Sequence, residues 1–189
     1  MKQMNKKVVN IIDDVNDITY DSLDNEELII NYFNHDNDDI NITVNQNSNS
    51  KVVINYSAFN KKESNVNVKN QINGNNNKFV INVRMIALDK HANVNVTSKV
   101  KEGTINNEVI EDLKGLNENG TITLMPILEI DTNEVNAQHF ATIGNYDKNQ
   151  IFYLESKGIS KDKAKELVKK SFIYNLFSEE FIKLLDKKE

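Results

Sequence analysis

The feature that most constrains this chain is a series of short, alternating apolar runs that recur at a nearly constant interval. One central apolar residue per run gives the series Ile42, Ile54, Val66, Val80, Val94, Val109, Ile122 and Val135. Successive members lie 12 to 15 residues apart. Within each run β-branched and polar residues alternate, which is typical of a strand with one buried face. Short strands at so regular a pitch predict a β-solenoid, a sandwich or a barrel.

Asparagine favours the solenoid among these folds. The chain contains 32 Asn, of which 23 lie in the first hundred residues, and turn stretches such as 73–77 are rich in it. Asparagine tolerates left-handed backbone at turns and disfavours helix interiors. Stacked Asn side chains can also bond to one another along successive coils, each of which buries its face only against its neighbours. An antiparallel meander sandwich remains the alternative on pattern alone.

The chain divides into three segments. Residues 1–38 are mixed and are interpreted as an N-terminal cap or the first coils, with a short helix or a strand between Asp21 and Phe33. Residues 39–158 form the β-helix core, in which Pro126, the only proline, marks a strand entry, an edge or a bulge. Residues 159–189 form two amphipathic helices, the first from Lys161 with Ser160 as its cap and the second capped by Ser178.

Composition excludes several classes of protein. There is no cysteine, so disulfides, thiolate metal sites and a cysteine nucleophile are ruled out. The formal charge is −5 and the only arginine is Arg84, which makes a nucleic-acid partner a poor prediction. The apolar stretches are too short to cross a membrane, and the basic start is too short for a secretory signal. A cytoplasmic location is therefore expected.

No catalytic constellation is visible in the sequence. His35, His91 and His139 are far apart and have no metal-ligand spacing. The adjacent carboxylates of Asp13-Asp14 and Glu111-Asp112 point to opposite faces of a strand and are interpreted as solvated charges. A polysaccharide-cleaving β-helix would need converging acidic or basic groups, and the sequence indicates none. The chain is therefore not expected to be an enzyme.

The segment from Pro126 to Phe172 resembles the C-terminal half of the SufB/SufD family of iron–sulfur cluster assembly proteins. In that family a proline precedes an apolar-Glu-apolar strand, followed by a His-x-Ala-Thr segment, a Phe-Tyr-Leu run and a Ser-basic-Gly-Ile turn that leads into a helix. The matching residues are Pro126, Leu128, Glu129, Ile130, His139, Ala141, Thr142, Gly144, Phe152, Tyr153, Leu154, Ser156, Lys157, Gly158, Ile159 and Ala164. Looser similarity extends upstream to about residue 40.

The resemblance implies a right-handed parallel β-helix followed by a short helical region. It is closer to SufD than to SufB, because the chain has no cysteine ligand and Phe140, not a glutamate, follows His139. Carried over from the family, His139 faces a SufB-like partner near the nascent cluster. The alternative is that His139 is a packed, hydrogen-bonded histidine at the end of the β-helix. Phe152 and Tyr153 are expected to alternate in a strand.

The resemblance also implies that the C-terminal region docks a SufC-like ATPase. The residues expected on that face are Lys165, Lys169, Phe172, Phe181 and Leu185. The alternative is that both helices cap the open end of the β-helix.

Two hypotheses follow for the whole chain. The first is a non-catalytic, SufD-like scaffold that pairs with SufB-like and SufC-like proteins, binds no stable cofactor and meets an iron–sulfur cluster only transiently. The second is a stand-alone β-helix that self-associates, for which a homodimer is the simplest form. Neither hypothesis involves nucleic acid or a membrane.

Overall fold

The computed structural model describes residues 4–13, 15–35 and 39–187, within which eleven strands are followed by three helices. The strands are β1 (Asn5–Ile12), β2 (Asp17–Asp21), β3 (Glu26–Asn34), β4 (Asp39–Gln46), β5 (Lys51–Asn60), β6 (Ser64–Ile72), β7 (Lys78–Ala87), β8 (His91–Val100), β9 (Asn107–Asn117), β10 (Thr121–Ile130) and β11 (Val135–Gly144). The helices are α1 (Lys148–Ser156), α2 (Lys161–Tyr174) and α3 (Glu179–Leu185).

Odd-numbered and even-numbered strands form two separate parallel sheets. The odd-strand sheet has the order β1-β3-β5-β7-β9-β11, and the even-strand sheet has the order β10-β8-β6-β4-β2. Each coil therefore contributes one strand to each sheet, and the chain winds through about five coils. The predicted mainly β, parallel solenoid is confirmed. The antiparallel sandwich is wrong, because each strand pairs in parallel with the strand two places away.

The regular pitch in the sequence corresponds to half a coil. The eight central apolar residues fall one on each strand from β4 to β11. Two such steps make a full coil. Side chains that are bonded between adjacent coils are therefore separated by about that length: 24 residues for Asn41 and Asp17, and 30 residues for Asn106 and Asn76. Pro126 lies within β10, which stands at the end of the even-strand sheet, where an edge position was one of the predicted options.

Apolar side chains stack in register inside the solenoid. Ile30, Ile54 and Ile81 occupy one such row on the odd-strand sheet and are fully buried. Rows from both sheets join a single core cluster that extends from Ile11 to Ile122. Because each fully buried aliphatic side chain contributes about 1.5–3 kcal/mol, these rows provide the main stabilisation of the coils.

Asparagine side chains stack along the outer faces of both sheets, as the composition predicted. Each later amide donates to the side-chain oxygen one coil earlier, over 2.8–3.1 Å. The ladder on the odd-strand sheet is Asn10, Asn31, Asn55 and Asn82, and the ladder on the even-strand sheet is Asp17, Asn41, Asn67 and Asn95. The aspartate at the start of the second ladder accepts without needing to donate, so it suits that end.

A further asparagine recurs at the turn before each odd strand. Asn25, Asn49, Asn76 and Asn106 occupy equivalent positions and have positive φ between 53° and 58°. Asn76 donates to Asn49 over 2.9 Å, and Asn106 donates to Asn76 over 2.8 Å. Asparagine thus supplies both the left-handed turn and the link between coils.

The helical region contains one helix more than the two predicted. The expected strand at Phe152 and Tyr153 is instead part of α1, because Asp147 caps the segment by accepting from the Asn149 amide over 2.8 Å. Ile151 and Leu154 then lie on one face at a spacing of three residues. The predicted helices after Ser160 and Ser178 are confirmed as α2 and α3, although the Ser160 hydroxyl makes no capping bond.

The helices pack on the side of the solenoid and not on its end, so the prediction that they cap the open end is wrong. Phe33 and Ile86, which point outward from β3 and β7, form a second apolar cluster with Ile173, Phe177 and Phe181. The Ser57 hydroxyl also donates to the Ile173 carbonyl over 2.9 Å. The reason is that these outward strand positions are apolar, which provides a surface for the helices on the odd-strand sheet.

Candidate functional site

The last coil, formed by β10 and β11, is here called the terminal coil (121–144). No other described element covers its free side, so its inward-facing residues other than Ile122 are partly buried or exposed. Leu124, Leu128, Ile130, Val135 and Ala137 still contact the core beneath. The terminal coil therefore leaves the solenoid open at this end within residues 4–13, 15–35 and 39–187.

Two neighbouring rows of the odd-strand sheet change polarity towards the terminal coil, although its other inward positions stay apolar. On the inside, the row Ile30, Ile54 and Ile81 continues into Glu111 and then His139. On the outside, the row Asn31, Asn55 and Asn82 continues into Asp112 and then Phe140. Polar residues thus replace apolar ones inside, and an apolar residue replaces asparagine outside.

His139 lies on an inward-facing position of β11 but is exposed, because no strand of the described ranges stacks on β11. The alternative of a packed histidine is therefore wrong. Apolar side chains surround the open end. Their exposed fractions are 45% for Met125, 41% for Ile127, 52% for Phe140 and 44% for Ile143. An exposed imidazole within an apolar rim is characteristic of an interaction surface rather than of a free monomer surface.

Glu111 lies directly beneath His139 and is completely buried. Its Oε1 accepts a hydrogen bond from the Ser98 hydroxyl over 2.6 Å. Burial raises the pKa of Glu111 to about 7, although the Ser98 bond acts in the opposite direction. The interpretation of Glu111 as a solvated charge is wrong. Its inward position between Val109 and Leu113 was the sequence signal that could have revealed this.

Asp112, the other member of that pair, does project from the opposite face. Its carboxylate binds Arg84, the only arginine, with 2.7 Å between Nη2 and Oδ2. The Arg84 side chain is largely buried, so the pair is a structural link between β7 and β9.

The predicted ATPase-docking residues divide into two groups. Phe181 and Leu185 are buried against the solenoid, and Phe172 packs partly against the same cluster. These three residues are not on an open face, because the outward apolar positions of the odd-strand sheet cover them. Lys165 and Lys169 lie on α2, and Lys169 binds Glu118 with 2.7 Å between Nζ and Oε1.

Glu118 joins the end of β9 to the helical tail. It accepts hydrogen bonds from Lys169 and from the Tyr146 hydroxyl, the latter over 2.7 Å. Although burial raises it, these bonds hold the pKa of Glu118 below its ordinary value. Burial and the bond to Glu118 raise the pKa of Tyr146. These bonds hold α2 against the end of β9.

A different apolar surface of the tail is exposed, and sequence reasoning missed it. Phe152 is 72% exposed and Tyr153 59% exposed on α1, and Leu167 is 40% exposed on α2. An open groove of about 540 Å³ lies between the two helices and is lined by Tyr153, Leu154, Leu167 and Val168. The Phe-Tyr-Leu run was the available signal, but it was interpreted as a strand with one buried face.

The other two histidines have local roles. His35 Nδ1 lies 2.9 Å from Asp13 Oδ2, and its ring contacts Phe33 edge to face. His91 contacts Thr121 and Asn93 on the even-strand sheet. Asp14, which belongs to the predicted acidic pair, lies outside the described residues. Within the described residues no three His, Cys, Asp or Glu side chains group as metal ligands.

None of the helices in the described ranges combines the length and apolarity needed to span a membrane.

Comparison with known proteins gives a match over the region that contains the open end of the terminal coil and the groove between α1 and α2. Residues 106–172 match the family described as SUF system FeS cluster assembly, SufBD core domain. That range runs from the turn before β9 into α2, so it includes Glu111, His139 and the groove beside Tyr153. The predicted resemblance over 126–172 lies within it.

Three curated relatives agree with this match. The chain is 43% identical over 54 residues to the iron–sulfur cluster assembly protein SufD of Bacillus subtilis, covering 29% of this chain and 12% of that protein. It is 40% identical over 55 residues to a SufBD family protein of Mycobacterium leprae, covering 29% and 14%. It is 32% identical over 117 residues to a SufBD family protein of Methanocaldococcus jannaschii, covering 59% and 35%.

These findings support a SufB/SufD-family protein, with the family match confined to residues 106–172. The chain spans about a third or less of the length of these relatives.

Proposed function

We propose that this chain takes part in iron–sulfur cluster assembly as a non-catalytic, SufD-like scaffold. The observation that carries the proposal is the open terminal coil, which presents His139 within an apolar rim inside the range that matches the SufBD core domain. The same range supplies a second exposed apolar surface on α1 and α2. A scaffold needs two such surfaces if it holds two partners together.

The terminal coil is the surface for a SufB-like partner. Its strands β10 and β11 end their sheets, so their outer backbone groups are free to pair with another chain. The apolar rim of Met125, Ile127 and Phe140 would lose contact with water in such a pair. His139 would then face the partner close to the position where a cluster is built.

The groove between α1 and α2 is the surface for a SufC-like ATPase. Phe152 and Tyr153 are large aromatic side chains exposed beside it, and aromatic anchors of this kind carry much of the binding energy at interfaces. Lys165 remains near this surface, whereas Phe181 and Leu185 are assigned to the packing of the tail on the solenoid.

A pull-down of the SufC-like ATPase from the same organism tests the docking role. We expect Phe152→Ala with Tyr153→Ala to weaken binding at least tenfold. Leu184→Ala, which alters an exposed residue on α3, is the matched control and should bind normally. Equal binding by all three proteins would contradict the assignment of the groove.

The scaffold should hold no stable iron–sulfur cluster by itself. The sequence has no cysteine, and nitrogen and oxygen ligands alone are rarely sufficient for cluster iron. Anaerobic reconstitution followed by desalting should leave the protein colourless. A brown protein with stoichiometric iron and sulfide would contradict this part of the proposal.

Self-association is the second candidate function, and the same open end favours it. Two copies could bury their apolar rims against each other without any partner protein. Light scattering after size-exclusion chromatography distinguishes the candidates. A dimer that persists when a SufB-like partner is added favours self-association, and a dimer or monomer that the partner converts into a hetero-complex favours the scaffold.

A further inference from the structure

Three polar side chains lie at inward-facing positions in the middle of strands, where the solenoid is otherwise apolar. They are Asn70 on β6, Ser98 on β8 and Glu111 on β9, and none exceeds 1% exposure. Asn70 and Ser98 are neighbours in register on the even-strand sheet. Ser98 reaches across the interior to Glu111. These residues form one polar group beneath the open end.

The hydrogen bonds of this group are incomplete. Glu111 Oε2 is buried and has no partner among the described residues, and the same is true of both polar atoms of the Asn70 side chain. A buried carboxyl oxygen without a hydrogen bond is strongly unfavourable, more so when the carboxyl is ionised. When Glu111 is ionised, the folded protein in solution therefore needs a donor for its Oε2.

Across the interior, the unpaired Asn70 amide is one donor that could reach this oxygen. On the odd-strand sheet itself, the register limits which side chain the donor can be. Side chains paired in register on neighbouring parallel strands stand about 4.8 Å apart on the same face. The in-register neighbours of Glu111 are Ile81 on one side, which is apolar, and His139 on the other. His139 is exposed, so its ring can rotate without displacing a packed neighbour.

Charged groups nearby do not compete for this oxygen. Asp112 and Arg84 bind each other outside the sheet, and Lys114 lies on that outer face beside Asp112. In the last two coils the inward faces of β8, β9, β10 and β11 otherwise bear Ser98 and uncharged side chains. Glu111 and His139 are thus the two titratable groups that share the inner face at the open end within the described residues.

We propose that Glu111 is a positioning residue for His139: its free carboxyl oxygen accepts a hydrogen bond from the imidazole and holds the ring in one orientation and one tautomer at the open end. The raised pKa of Glu111, which burial brings to about 7, means that the carboxyl exchanges its proton in the neutral range. The polar group inside the solenoid thus fixes a side chain on its surface. Only the purpose of this arrangement rests on the proposed function.

Nitrogen-15 NMR of the His139 ring in the isolated chain tests the pairing. Wild-type protein at pH 8 should show ring shifts of one predominant neutral tautomer. Glu111→Ile extends the row of Ile30, Ile54 and Ile81, so the solenoid should remain folded while His139 loses its acceptor. Its ring shifts should then move to the average of two tautomers. Unchanged His139 shifts in a folded Glu111→Ile protein would overturn the proposal and assign the Glu111 oxygen to Asn70 or to water.

The reciprocal variant keeps the test decisive if Glu111→Ile does not fold. His139→Ala changes only an exposed residue and leaves no side-chain donor, and the carboxyl carbon-13 shift of Glu111 reports its titration. Removal of the imidazole should raise the Glu111 midpoint by about one pH unit or more, because the ionised carboxyl loses a favourable partner. An unchanged midpoint would overturn the pairing. Both measurements need no partner, so their failure is distinct from a failure to bind a SufB-like protein.

Discussion

The middle coils and the terminal coil of this solenoid differ in two neighbouring rows of the odd-strand sheet. In the coils from β3 to β8, isoleucine and valine fill the inside, and asparagine ladders cover the outside. In the terminal coil the same two rows end in His139 inside and Phe140 outside. The comparison teaches that a coil with neighbours on both sides is built for stacking. The last coil, which has one neighbour among the described residues, leaves apolar side chains exposed, and we propose that these contact another molecule.

The largest expected difference between the two regions concerns stability. Ile54→Ala removes a fully buried side chain with neighbours in register on both sides, so the free energy of unfolding should fall by about 3 kcal/mol. His139→Ala, on the equivalent inner row of the terminal coil, should change it by less than about 0.5 kcal/mol at a pH where Glu111 is protonated. Urea denaturation monitored by circular dichroism measures both. Similar losses would mean that the terminal coil is packed like the others.

The pH dependence of the free energy of unfolding should show the effect of the raised pKa of Glu111. Its pKa is raised in the folded state from 4.5 to about 7, so the native protein holds a proton that the unfolded chain releases. The stabilisation is complete below pH 4.5 and is lost as the pH rises through 7, amounting to about 3 kcal/mol at most. Pairing with His139 reduces this loss, so His139→Ala should make the decline steeper. Glu111→Gln should remove this component, and a profile identical to wild type would contradict the assignment.

The asparagine ladder should contribute less than the core. Asn55 both donates to Asn31 over 2.9 Å and accepts from Asn82 over 3.0 Å, so Asn55→Ala leaves two partly buried polar groups without partners. We expect a loss of about 2 kcal/mol in the free energy of unfolding. Asn45→Ala, which removes one exposed bond to Asp21, is the control and should lose clearly less. Equal losses would contradict a larger contribution from the buried ladder than from a single exposed bond.

The smallest stability effect should come from extending a ladder into the terminal coil. Asn95 Oδ1 is buried without a partner, and Met125 is its in-register neighbour on β10. Met125→Asn places a donor there and should raise the free energy of unfolding by up to about 1 kcal/mol. It also removes part of the apolar rim, so association should weaken although stability rises. If Met125→Asn binds a SufB-like partner or a second copy as strongly as wild type, Met125 is not part of the interface.

Most of the solenoid could be predicted from the sequence, because its signals are local and repeated. The alternation around Ile54 and the pitch to Val66 and Val80 report strands directly, and asparagine at the turns reports the left-handed backbone. The position of the helices could not be read in the same way. Phe181 has the same helical pattern whether it faces a partner or the odd-strand sheet, and only the three-dimensional position of Phe33 and Ile86 decides between them.

The candidate site was predicted less completely. His139 was identified through its motif, and its exposure follows from the absence of a following strand in the odd-strand sheet among the described residues. Glu111 was misread because a charged residue in an alternating run is usually exposed, and its burial depends on the register with Ile81 one coil away. Phe152 was placed in a strand because short apolar runs do not distinguish a strand from a helix.

The central claim, that the terminal coil is the partner surface, is tested most directly by titrating a SufB-like protein from the same organism against two matched variants. Phe140→Asp charges the rim of the terminal coil, and Val8→Asp charges an exposed apolar residue of similar accessibility on β1, at the other end of the solenoid. Calorimetry should give a Kd for Val8→Asp within twofold of wild type and a Kd for Phe140→Asp at least tenfold weaker, with both proteins equally folded. Wild-type affinity in Phe140→Asp would contradict the account.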